Sequence, residues 1–365
     1  MSSEKPRISI LIPAFNKEKH IERALRSVAE QTLRDLEIIV IDDASTDSTA
    51  ELVRKFAGKD KRVRLIRHEQ NRGTLSARIT GFREAGGDYV MCLDADDTLD
   101  PDCAEKTFAL AKKYDCEIVG FGARLLRAGK TSGTIDAVRG RLSAPHVFEA
   151  AFCDHSYNWS VCLKLFRRDL FEKALADTED FYCVSAEDFY FYTILSFYAQ
   201  KIVFPGKIFY NYYIEEGLTG HQNTPESFRR MATMLDALKA VSRFLKKQND
   251  SKYDIAFKQR EQEHLQLLFS RFPSTDGAGS MQFLLEQYPE AVIMENMQLY
   301  FGTDFTEKAF LAVRNNESFP QLPEQNGSEP LSFRKKVIAA LLPPESPQWF
   351  LSKRIHDLLK WRKYK

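Results

Sequence analysis

Three acidic side chains stand within four positions at the end of an apolar run, in the segment DYVMCLDADDTL at residues 88–99. Two carboxylates about 4 Å apart repel by roughly 4 kcal/mol at an effective dielectric constant of about 20, so Asp94, Asp96 and Asp97 need a compensating cation if they lie together. An Asp-X-Asp pair after a buried strand suits Mg²⁺ or Mn²⁺, which binds one or two carboxylates and completes its coordination with water and phosphate oxygens. The pattern predicts a site for a divalent ion and a diphosphate. The alternative is that Asp97 caps the helix expected near Pro101.

A second acidic pair follows another predicted strand, in IDDASTDST at residues 41–49. At a strand end, the carboxylate of Asp42 or Asp43 can accept a hydrogen bond from a nucleobase N–H or a ribose hydroxyl. The polar residues at positions 47–49 are typical of a turn that caps a helix. The sequence therefore predicts a second polar site at the same edge of the sheet.

Positive charge is available in QNRGTLSARITGF, residues 70–82. Gly73 permits a tight turn there, and Thr74 or Ser76 can cap the helix that follows. Arg78 lies one turn further along that helix, and a guanidinium can bind a diphosphate through two parallel hydrogen bonds. The alternative is an arginine in a salt bridge on the helix surface.

Glu187 and Asp188 open a helix of otherwise aromatic and aliphatic residues, SAEDFYFYTILSFYAQ, which begins at residue 185. The helix dipole favours acids in a first turn, and this is one explanation for the pair. The other explanation is a general base, because a partly desolvated carboxylate gains basicity. The residues alone leave both explanations open.

The elements that must position these side chains alternate along the first half of the chain. Short β-branched runs predict strands at residues 8–14, 36–43, 63–68, 88–94 and 116–126. Amphipathic stretches predict helices at residues 21–31, 49–58 and 74–86. This alternation predicts an α/β fold with a mainly parallel sheet covered by helices on both faces. Ligands of such sheets bind beyond the carboxyl ends of the strands, where these acids lie.

Composition and charge limit the class of protein. The 365 residues exceed the usual size of one domain, and 52 basic against 51 acidic residues leave a net charge of +1, which gives no sign of nucleic-acid binding. The six cysteines show no C-x-x-C spacing, and neither a signal peptide nor a long apolar span is evident. We therefore expect reduced, mostly buried thiols in a cytoplasmic protein.

The ordered series of motifs resembles the family 2 glycosyltransferases of the GT-A fold. The series covers residues 6–215 and comprises ISILIPAFNKEKHIERALRSVAEQT, EIIVIDDASTDST, NRGTLSARITGF, GDYVMCLDADD, a segment with Trp159 and Lys164, and AEDFYFY. The resemblance implies a GT-A nucleotide-sugar-binding sheet flanked by helices. It also implies inverting transfer of a sugar from a UDP-sugar, with Mn²⁺ or Mg²⁺ as the cofactor.

The resemblance further implies roles for individual residues of this chain. Asp188 matches the catalytic base. Asp94 and Asp96 match the acids that bind the metal and the ribose, and Asp97 and His221 are further candidates for the metal. The other residues implied in nucleotide-sugar binding are Pro13, Ala14, Asn16, Glu18, Asp43, Arg78, Ala95 and Glu187.

Within the donor site, the resemblance assigns Asp43 to the uracil ring and Arg78 to the region of the diphosphate. The Q-x-x-R-W motif and the membrane spans of processive members are not found, so we expect one sugar to be transferred per encounter. The expected acceptor is a hydroxyl of a glycan, lipid-linked or protein-linked molecule in the synthesis of surface polysaccharide or glycoconjugate. The oligomeric state is left open.

Three alternatives use a similar sheet. A sugar nucleotidyltransferase would have a glycine-rich loop and a basic residue after the first strand, and a dinucleotide-dependent oxidoreductase would have G-x-G-x-x-G there, whereas this chain has PAFNKEKH. A non-catalytic nucleotide-sugar-binding or scaffold protein on the same fold is harder to exclude, because the same acids can serve binding without turnover.

The patterns divide the chain into a GT-A domain at 1–215, a mainly helical domain at 216–317, a linker at 318–330 and a basic amphipathic tail at 331–365. The end of the tail, PQWFLSKRIHDLLKWRKYK at residues 347–365, combines large apolar and basic side chains. This combination favours contact with anionic lipid, so we predict peripheral membrane contact at the inner face of the membrane. The alternative is a helix packed on the protein's own surface.

Overall fold

A computed structural model describes residues 5–135, 139–153, 158–214, 223–249, 251–273 and 275–323. The strands are β1 (Ile8–Ala14), β2 (Leu36–Asp42), β3 (Val63–Arg67), β4 (Tyr89–Cys92), β5 (Thr98–Leu99), β6 (Ile118–Gly120), β7 (Gly122–Arg127), β8 (Lys130–Ile135), β9 (Arg139–Ser143), β10 (Lys164–Arg167), β11 (Lys201–Pro205) and β12 (Ile208–Tyr213). The helices are α1 (Ile21–Ala29), α2 (Thr49–Ala57), α3 (Gly73–Glu84), α4 (Cys103–Tyr114), α5 (His146–Phe152), α6 (Arg168–Leu175), α7 (Glu187–Tyr198), α8 (Pro225–Met231), α9 (Met234–Lys247), α10 (Asp254–Phe269), α11 (Gly277–Gln287), α12 (Glu290–Phe301) and α13 (Thr303–Asn315).

The larger sheet of the described residues has eight strands in the order β3-β2-β1-β4-β10-β6-β11-β9. The pairs β1-β2, β1-β4 and β2-β3 are parallel, whereas β10 enters antiparallel between β4 and β6. The predicted α/β class is confirmed. The sheet as a whole is mixed: the first four strands of the chain form one parallel part, and β6 and β11 form a further parallel pair.

Continuous apolar runs form the centre of the parallel part. Every residue of β1 is buried, as is nearly every residue of β2, which is expected where helices cover both faces of a sheet. Helix α3 approaches these strands closely at Gly81, where a Cβ atom would lie 2.8 Å from the Cδ1 atom of Ile41. Glycine at this position therefore sets the distance between α3, which carries Arg78, and the strands whose ends form the site.

The strand predicted at residues 116–126 is two strands in different sheets. β6 belongs to the larger sheet, and β7 belongs to a sheet of four described strands ordered β5-β12-β7-β8. At the break, the N–H of Phe121 donates to the carbonyl of Leu163 at 3.0 Å, and the N–H of Gly122 donates to that of Lys207 at 2.9 Å. The chain changes its strand partners here, and the apolar pattern contains no sign of that change because residues 120–123, on both sides of the break, are all buried.

Helices α8–α13 confirm the mainly helical region beyond residue 216. Its buried side chains join those of the sheet in one continuous cluster, and Tyr253 packs edge-on against Phe148 of α5 with ring centroids 4.7 Å apart. The domain boundary at 215 and 216 stays a prediction.

Several predictions concern residues at the margins of the described part. His221 and the tail at 331–365 lie outside the described residues. Residues 318–323 of the predicted linker are described, and the ring of Phe319 stacks on that of Phe272 with centroids 6.0 Å apart. Within the described ranges, every helix is too short or too polar to cross a bilayer. Five of the six cysteines are buried, as expected.

Candidate active site

A cleft of about 490 Å³ opens beyond the carboxyl ends of β1 and β4, beside the first turns of α3 and α7. This is the edge of the sheet at which the sequence predicts the site. The predicted residues that line the cleft are Pro13, Ala14, Asp43, Arg78, Asp94, Ala95, Asp96, Asp97, Glu187 and Asp188.

Asn16 and Glu18 do not line the cleft but tie together the two turns that follow β1 and β2. The side-chain oxygen of Asn16 accepts the N–H of Thr46 at 2.8 Å, and the backbone N–H of Asn16 donates to the hydroxyl of Ser45 at 2.9 Å. Glu18 accepts the N–H of Ser48 at 3.1 Å. These bonds hold the turn that follows Pro13 and Ala14, and direct contact of Asn16 and Glu18 with a nucleotide stays a prediction.

Asp43 fixes the entry into α3. One carboxylate oxygen contacts His68 Nδ1 at 2.7 Å and accepts the N–H of Arg72 at 2.9 Å, and the other accepts the N–H of Gly73 at 2.8 Å. Gly73 has a φ of +84°, and a Cβ atom there would lie 2.8 Å from the backbone nitrogen of Cys183. The loop before α7 therefore packs directly on the start of α3. The assignment of Asp43 to a nucleobase stays a prediction.

Arg78 lies at the base of the cleft and joins acids from two elements. Its side chain is 2% exposed, and its guanidinium contacts Asp94 at 3.1 Å, Glu187 at 3.1 Å and Asp188. The same group lies 3.6 Å from the sulfur of Cys162. A helix-surface salt bridge is thus the wrong description of Arg78, because its guanidinium is buried among carboxylates that face the cleft.

The three acids after β4 differ in how their charge is compensated. Asp94 contacts Arg78, and Asp96 contacts the ammonium group of Lys17. Asp97 accepts the hydroxyl of Tyr210 at 2.7 Å and the N–H of Tyr213 at 2.9 Å. Burial raises the pKa of Asp97 to about 8, and the charge of Asp94 adds to that shift, so a proton compensates this third acid at neutral pH.

Asp94 and Asp96 fit a divalent ion better than Asp97 does. All three acids line the cleft, but the Asp94 side chain is 34% exposed and that of Asp96 11%, whereas Asp97 is 1% exposed and both of its oxygens are bonded to β12. Among the described residues, no three His, Cys, Asp or Glu side chains converge as a metal centre. Mg²⁺ and Mn²⁺ in phosphate sites need one or two carboxylates, so a pair is sufficient.

Asp188, in the first turn of α7, lies on the other side of the Arg78 guanidinium from Asp94, and we call these two sides the walls of the cleft. Its side chain keeps 27% of its surface exposed, and it accepts a backbone hydrogen bond from Val161. Burial raises the pKa of Asp188 above its ordinary value, although the charge of Arg78 opposes the shift. For Glu187, burial raises the pKa to about 7, again against the effect of Arg78. A carboxylate with raised basicity that faces a cleft can take a proton from a bound hydroxyl.

Lys164 belongs to one of the sequence motifs, but the sequence predicted no role for it. The structure places its ammonium group close to Asp188. The buried ammonium group donates to the carbonyls of Asn158 at 2.6 Å and Ser160 at 2.8 Å, and it lies 4.1 Å from the ring centroid of Tyr192. Burial lowers the pKa of Lys164 to about 7, and the charge of Asp188 opposes that shift. Lys164 therefore holds the turn before Val161, whose backbone N–H donates to the carboxylate of Asp188.

Other residues of the cleft were not predicted from the sequence. Lys17 follows Asn16 in the first turn and pairs with Asp96, while Tyr182 and Arg230 come from segments distant in the chain. A lysine in a turn and an arginine on an amphipathic helix are ordinary surface residues by pattern. Arg230 reaches the cleft through a contact between distant segments, in which the N–H of Val184 before α7 donates to the hydroxyl of Thr233 after α8.

Known proteins resemble part of the chain in sequence. The uncharacterized glycosyltransferase EpsJ of Bacillus subtilis (strain 168) is 32% identical over 173 residues, which cover 46% of this chain and 50% of that protein. Chondroitin synthase of Escherichia coli is 42% identical over 100 residues, which cover 27% of this chain and 14% of that protein. The chain thus spans about half the length, or less, of these curated relatives.

The crystal structure of S. aureus TarS residues 1–349 in complex with UDP-GlcNAc aligns with 88% of this chain and 98% of that one, with a TM-score of 0.53 and 16% sequence identity. This likeness shows the fold, which is GT-A. Residues 9–174 match the sequence model described as Glycosyl transferase family 2. This match covers a little under half of the chain, so the likeness to glycosyl transferase family 2 is one of residues 9–174.

Proposed function

We propose that this chain is an inverting glycosyltransferase that moves one sugar from a UDP-sugar to an acceptor hydroxyl. The observation that carries the proposal is the arrangement of one cleft, in which Asp188 faces Asp94 and Asp96 across the buried guanidinium of Arg78. A general base on one wall and paired carboxylates on the other are the groups that such a transfer needs. The acceptor is a glycan, lipid-linked or protein-linked molecule of surface polysaccharide or glycoconjugate synthesis.

The charge of the cleft supports a metal-dependent donor. Its lining contains three cationic side chains, namely Lys17, Arg78 and Arg230. It contains seven acidic ones, namely Asp43, Asp94, Asp96, Asp97, Glu187, Asp188 and Glu226, and the acids still outnumber the cations when Asp97, whose pKa is raised to about 8, carries a proton. A nucleoside diphosphate is itself an anion, so it is repelled unless a further cation enters with it. The TarS complex contains UDP-GlcNAc, which favours uracil as the base.

In this mechanism the chain's own residues position the reactants and move one proton. Asp94 and Asp96 would hold Mn²⁺ or Mg²⁺, which supplies positive charge to the leaving diphosphate when bound. Asp188 accepts the proton of the acceptor hydroxyl as that oxygen attacks the anomeric carbon on the face opposite the diphosphate. Arg78 keeps Asp188 ionised and oriented before the acceptor arrives.

UDP release from a set of UDP-sugars, measured with and without acceptors in the presence of Mn²⁺, tests the proposal. Asp188→Asn should keep the calorimetric affinity for UDP and Mn²⁺ while turnover falls by at least about a hundredfold, the usual contribution of a general base. Asp304→Asn, which removes an acid exposed on α13, is the matched control and should be unchanged. Binding of UDP without turnover of any donor by the native chain would favour the scaffold alternative instead.

Peripheral membrane contact through residues 347–365 is a second part of the proposal, and these residues lie outside the described part of the chain. Their basic and aromatic composition favours anionic lipid at the inner face of a membrane. Co-sedimentation with anionic liposomes should fall when residues 347–365 are deleted. Equal co-sedimentation of the full and shortened chains would contradict this part alone.

A further inference from the structure

A second cavity of about 700 Å³ adjoins the catalytic cleft beside helix α8. We call it the α8 groove, formed by Tyr182, residues 224–226, 229 and 230, and Thr233. Tyr182, Glu226 and Arg230 line both the groove and the cleft. The two spaces therefore adjoin along these three residues, so a molecule lying in the groove is next to the cleft.

The α8 groove is joined to the segment that carries the base. Val184, which lies between Tyr182 and α7, donates its N–H to the hydroxyl of Thr233 at 3.2 Å. Asp188 follows four residues later and lines the cleft. When a donor fills the cleft over Asp94 and Asp96, an acceptor hydroxyl must approach Asp188 from an adjoining opening. The groove provides that approach.

The side chains of the groove are those that bind a charged sugar. Tyr182 is 47% exposed and offers an aromatic face for the C–H surface of a sugar ring. Arg229 lies 3.7 Å from Asp276, a loose contact that leaves its side chain 53% exposed. Among the described residues, no carboxylate lies within salt-bridge distance of Arg230.

The sign of the charge differs between the two spaces. The α8 groove contains two arginines against the one acid Glu226, whereas acids outnumber cations in the cleft. An anionic group is therefore favoured in the groove and disfavoured in the cleft unless a metal accompanies it. The guanidinium of one arginine can donate to a carboxylate or phosphate through two parallel hydrogen bonds, so Arg230 is sufficient to bind such a group.

We propose that the α8 groove is the acceptor site and that the acceptor glycan carries a carboxylate or phosphate close to the hydroxyl that is glycosylated. This inference rests on the proposed function and adds the chemical class of the acceptor. Arg230 contacts the anionic group, Tyr182 packs on the sugar ring beside it, and the hydroxyl extends toward Asp188.

Matched pairs of oligosaccharides test the inference on the full chain in the presence of UDP and Mn²⁺. One arm compares disaccharides that contain a hexuronic acid with their carboxyl-reduced forms, and the other compares phosphorylated disaccharides with their dephosphorylated forms. Calorimetry or ligand-observed NMR should give a preference of roughly tenfold for the charged member of at least one arm. The arm that shows it distinguishes a carboxylate from a phosphate. The preference should shrink at high salt.

Arg230→Gln should abolish the preference, and Arg314→Gln, an equally polar change at an arginine exposed on α13, should keep it. Equal affinity for both members of every pair, no binding of any member, or a preference that survives in Arg230→Gln would overturn the inference. Turnover on neutral acceptors without a charge preference would refute the inference and leave the proposed function standing. If the chain binds the charged acceptors preferentially but never releases UDP from any donor, the inference stands and the proposed function is refuted.

Discussion

Asp94 and Asp188 lie on opposite walls of the cleft and share one cation, the guanidinium of Arg78. The first residue follows β4 and the second opens α7, so the ion pairs couple the proposed metal side of the site to the proposed base. The Arg78 side chain is 2% exposed. If it were removed, the carboxylates that it contacts would be left without a compensating charge in a place that water reaches poorly. The arrangement of the two walls therefore depends on one residue of α3.

Replacing Arg78 by Lys should destabilise the protein and reduce activity, because a single ammonium group cannot reach acids on both walls. We expect the free energy of unfolding to fall by roughly 3 kcal/mol at pH 7.5, measured by urea denaturation. The deficit should shrink at pH 5.5. Burial raises the pKa of Glu187 to about 7, so lowering the pH protonates this acid and relieves the repulsion.

Arg64→Lys is the control for that substitution, because Arg64 pairs with Glu84 on the surface and its side chain is 48% exposed. It should change stability by less than about 1 kcal/mol at either pH. A deficit in Arg78→Lys that is no larger than in the control, or that is the same at both pH values, would contradict the coupling role of Arg78.

Lys17→Met should increase the affinity of the free protein for Mn²⁺. Lys17 contacts Asp96, so a divalent ion must displace its ammonium group from that carboxylate. Removing this competitor should tighten Mn²⁺ by roughly three- to tenfold, as expected for an ion pair worth about 1 kcal/mol. Calorimetric titration with Mn²⁺ and no nucleotide measures this directly. Lys19→Met removes an exposed lysine of the same turn and should leave Mn²⁺ affinity unchanged, whereas weaker or equal affinity in Lys17→Met would exclude the competition.

Asp97→Asn should leave Mn²⁺ binding nearly intact, whereas Asp94→Asn or Asp96→Asn should weaken it at least tenfold. The reason is that the Asp97 oxygens are bonded to Tyr210 and Tyr213 and the site for the ion is built from the other two acids. Calorimetric titration of the three variants makes the comparison. Equal losses in all three would restore Asp97 as a metal ligand.

The same residue should shape the dependence of stability on pH. Burial raises the pKa of Asp97 to about 8 in the folded protein, against roughly 3.9 for an unfolded aspartate. Between these values the folded state binds more protons than the unfolded state, so this acid lowers stability as the pH rises through that window. Asp97→Asn should remove that part of the decline, measured by urea denaturation from pH 5 to pH 9. Parallel profiles for the native chain and the variant would contradict the raised pKa.

The elements around β1, β2 and α3 were predictable because their apolar spacing is determined locally. Strand β1 was predicted at its observed bounds, and α3 within two residues at each end. The edge of the sheet that holds the site was predictable for the same reason, since strand ends in a parallel sheet lie together. The split between β6 and β7 was not, because it depends on which distant strands each one pairs with.

The partners of the charged residues were not predictable from the sequence. The pattern indicated that Asp94, Asp96 and Asp97 need compensating charge and predicted a divalent ion as its source, while Arg78 was predicted to bind the diphosphate instead. The structure supplies Arg78, Lys17 and a raised pKa as well, and these depend on contacts between residues far apart in the chain.

Lys164→Met should move the acid limb of the pH profile of kcat/KM to higher pH. That limb reports the pKa of the essential base in the free enzyme, which we assign to Asp188. The positive charge of Lys164 lowers the pKa of Asp188, so removing the charge raises this pKa, and the base is then protonated over a wider range of acidic pH. Lys201→Met, at an exposed lysine of β11, should leave the limb in place.

This measurement separates a role in the chemistry from a role in folding. Lys164 also donates to the carbonyls of Asn158 and Ser160, so its loss should lower activity at every pH by disturbing the turn beside Asp188. A uniform loss with an unmoved acid limb would assign Lys164 to that turn alone. A displaced limb shows that its charge acts on the base, because no change in folding stability shifts the pKa reported by kcat/KM while the protein stays folded.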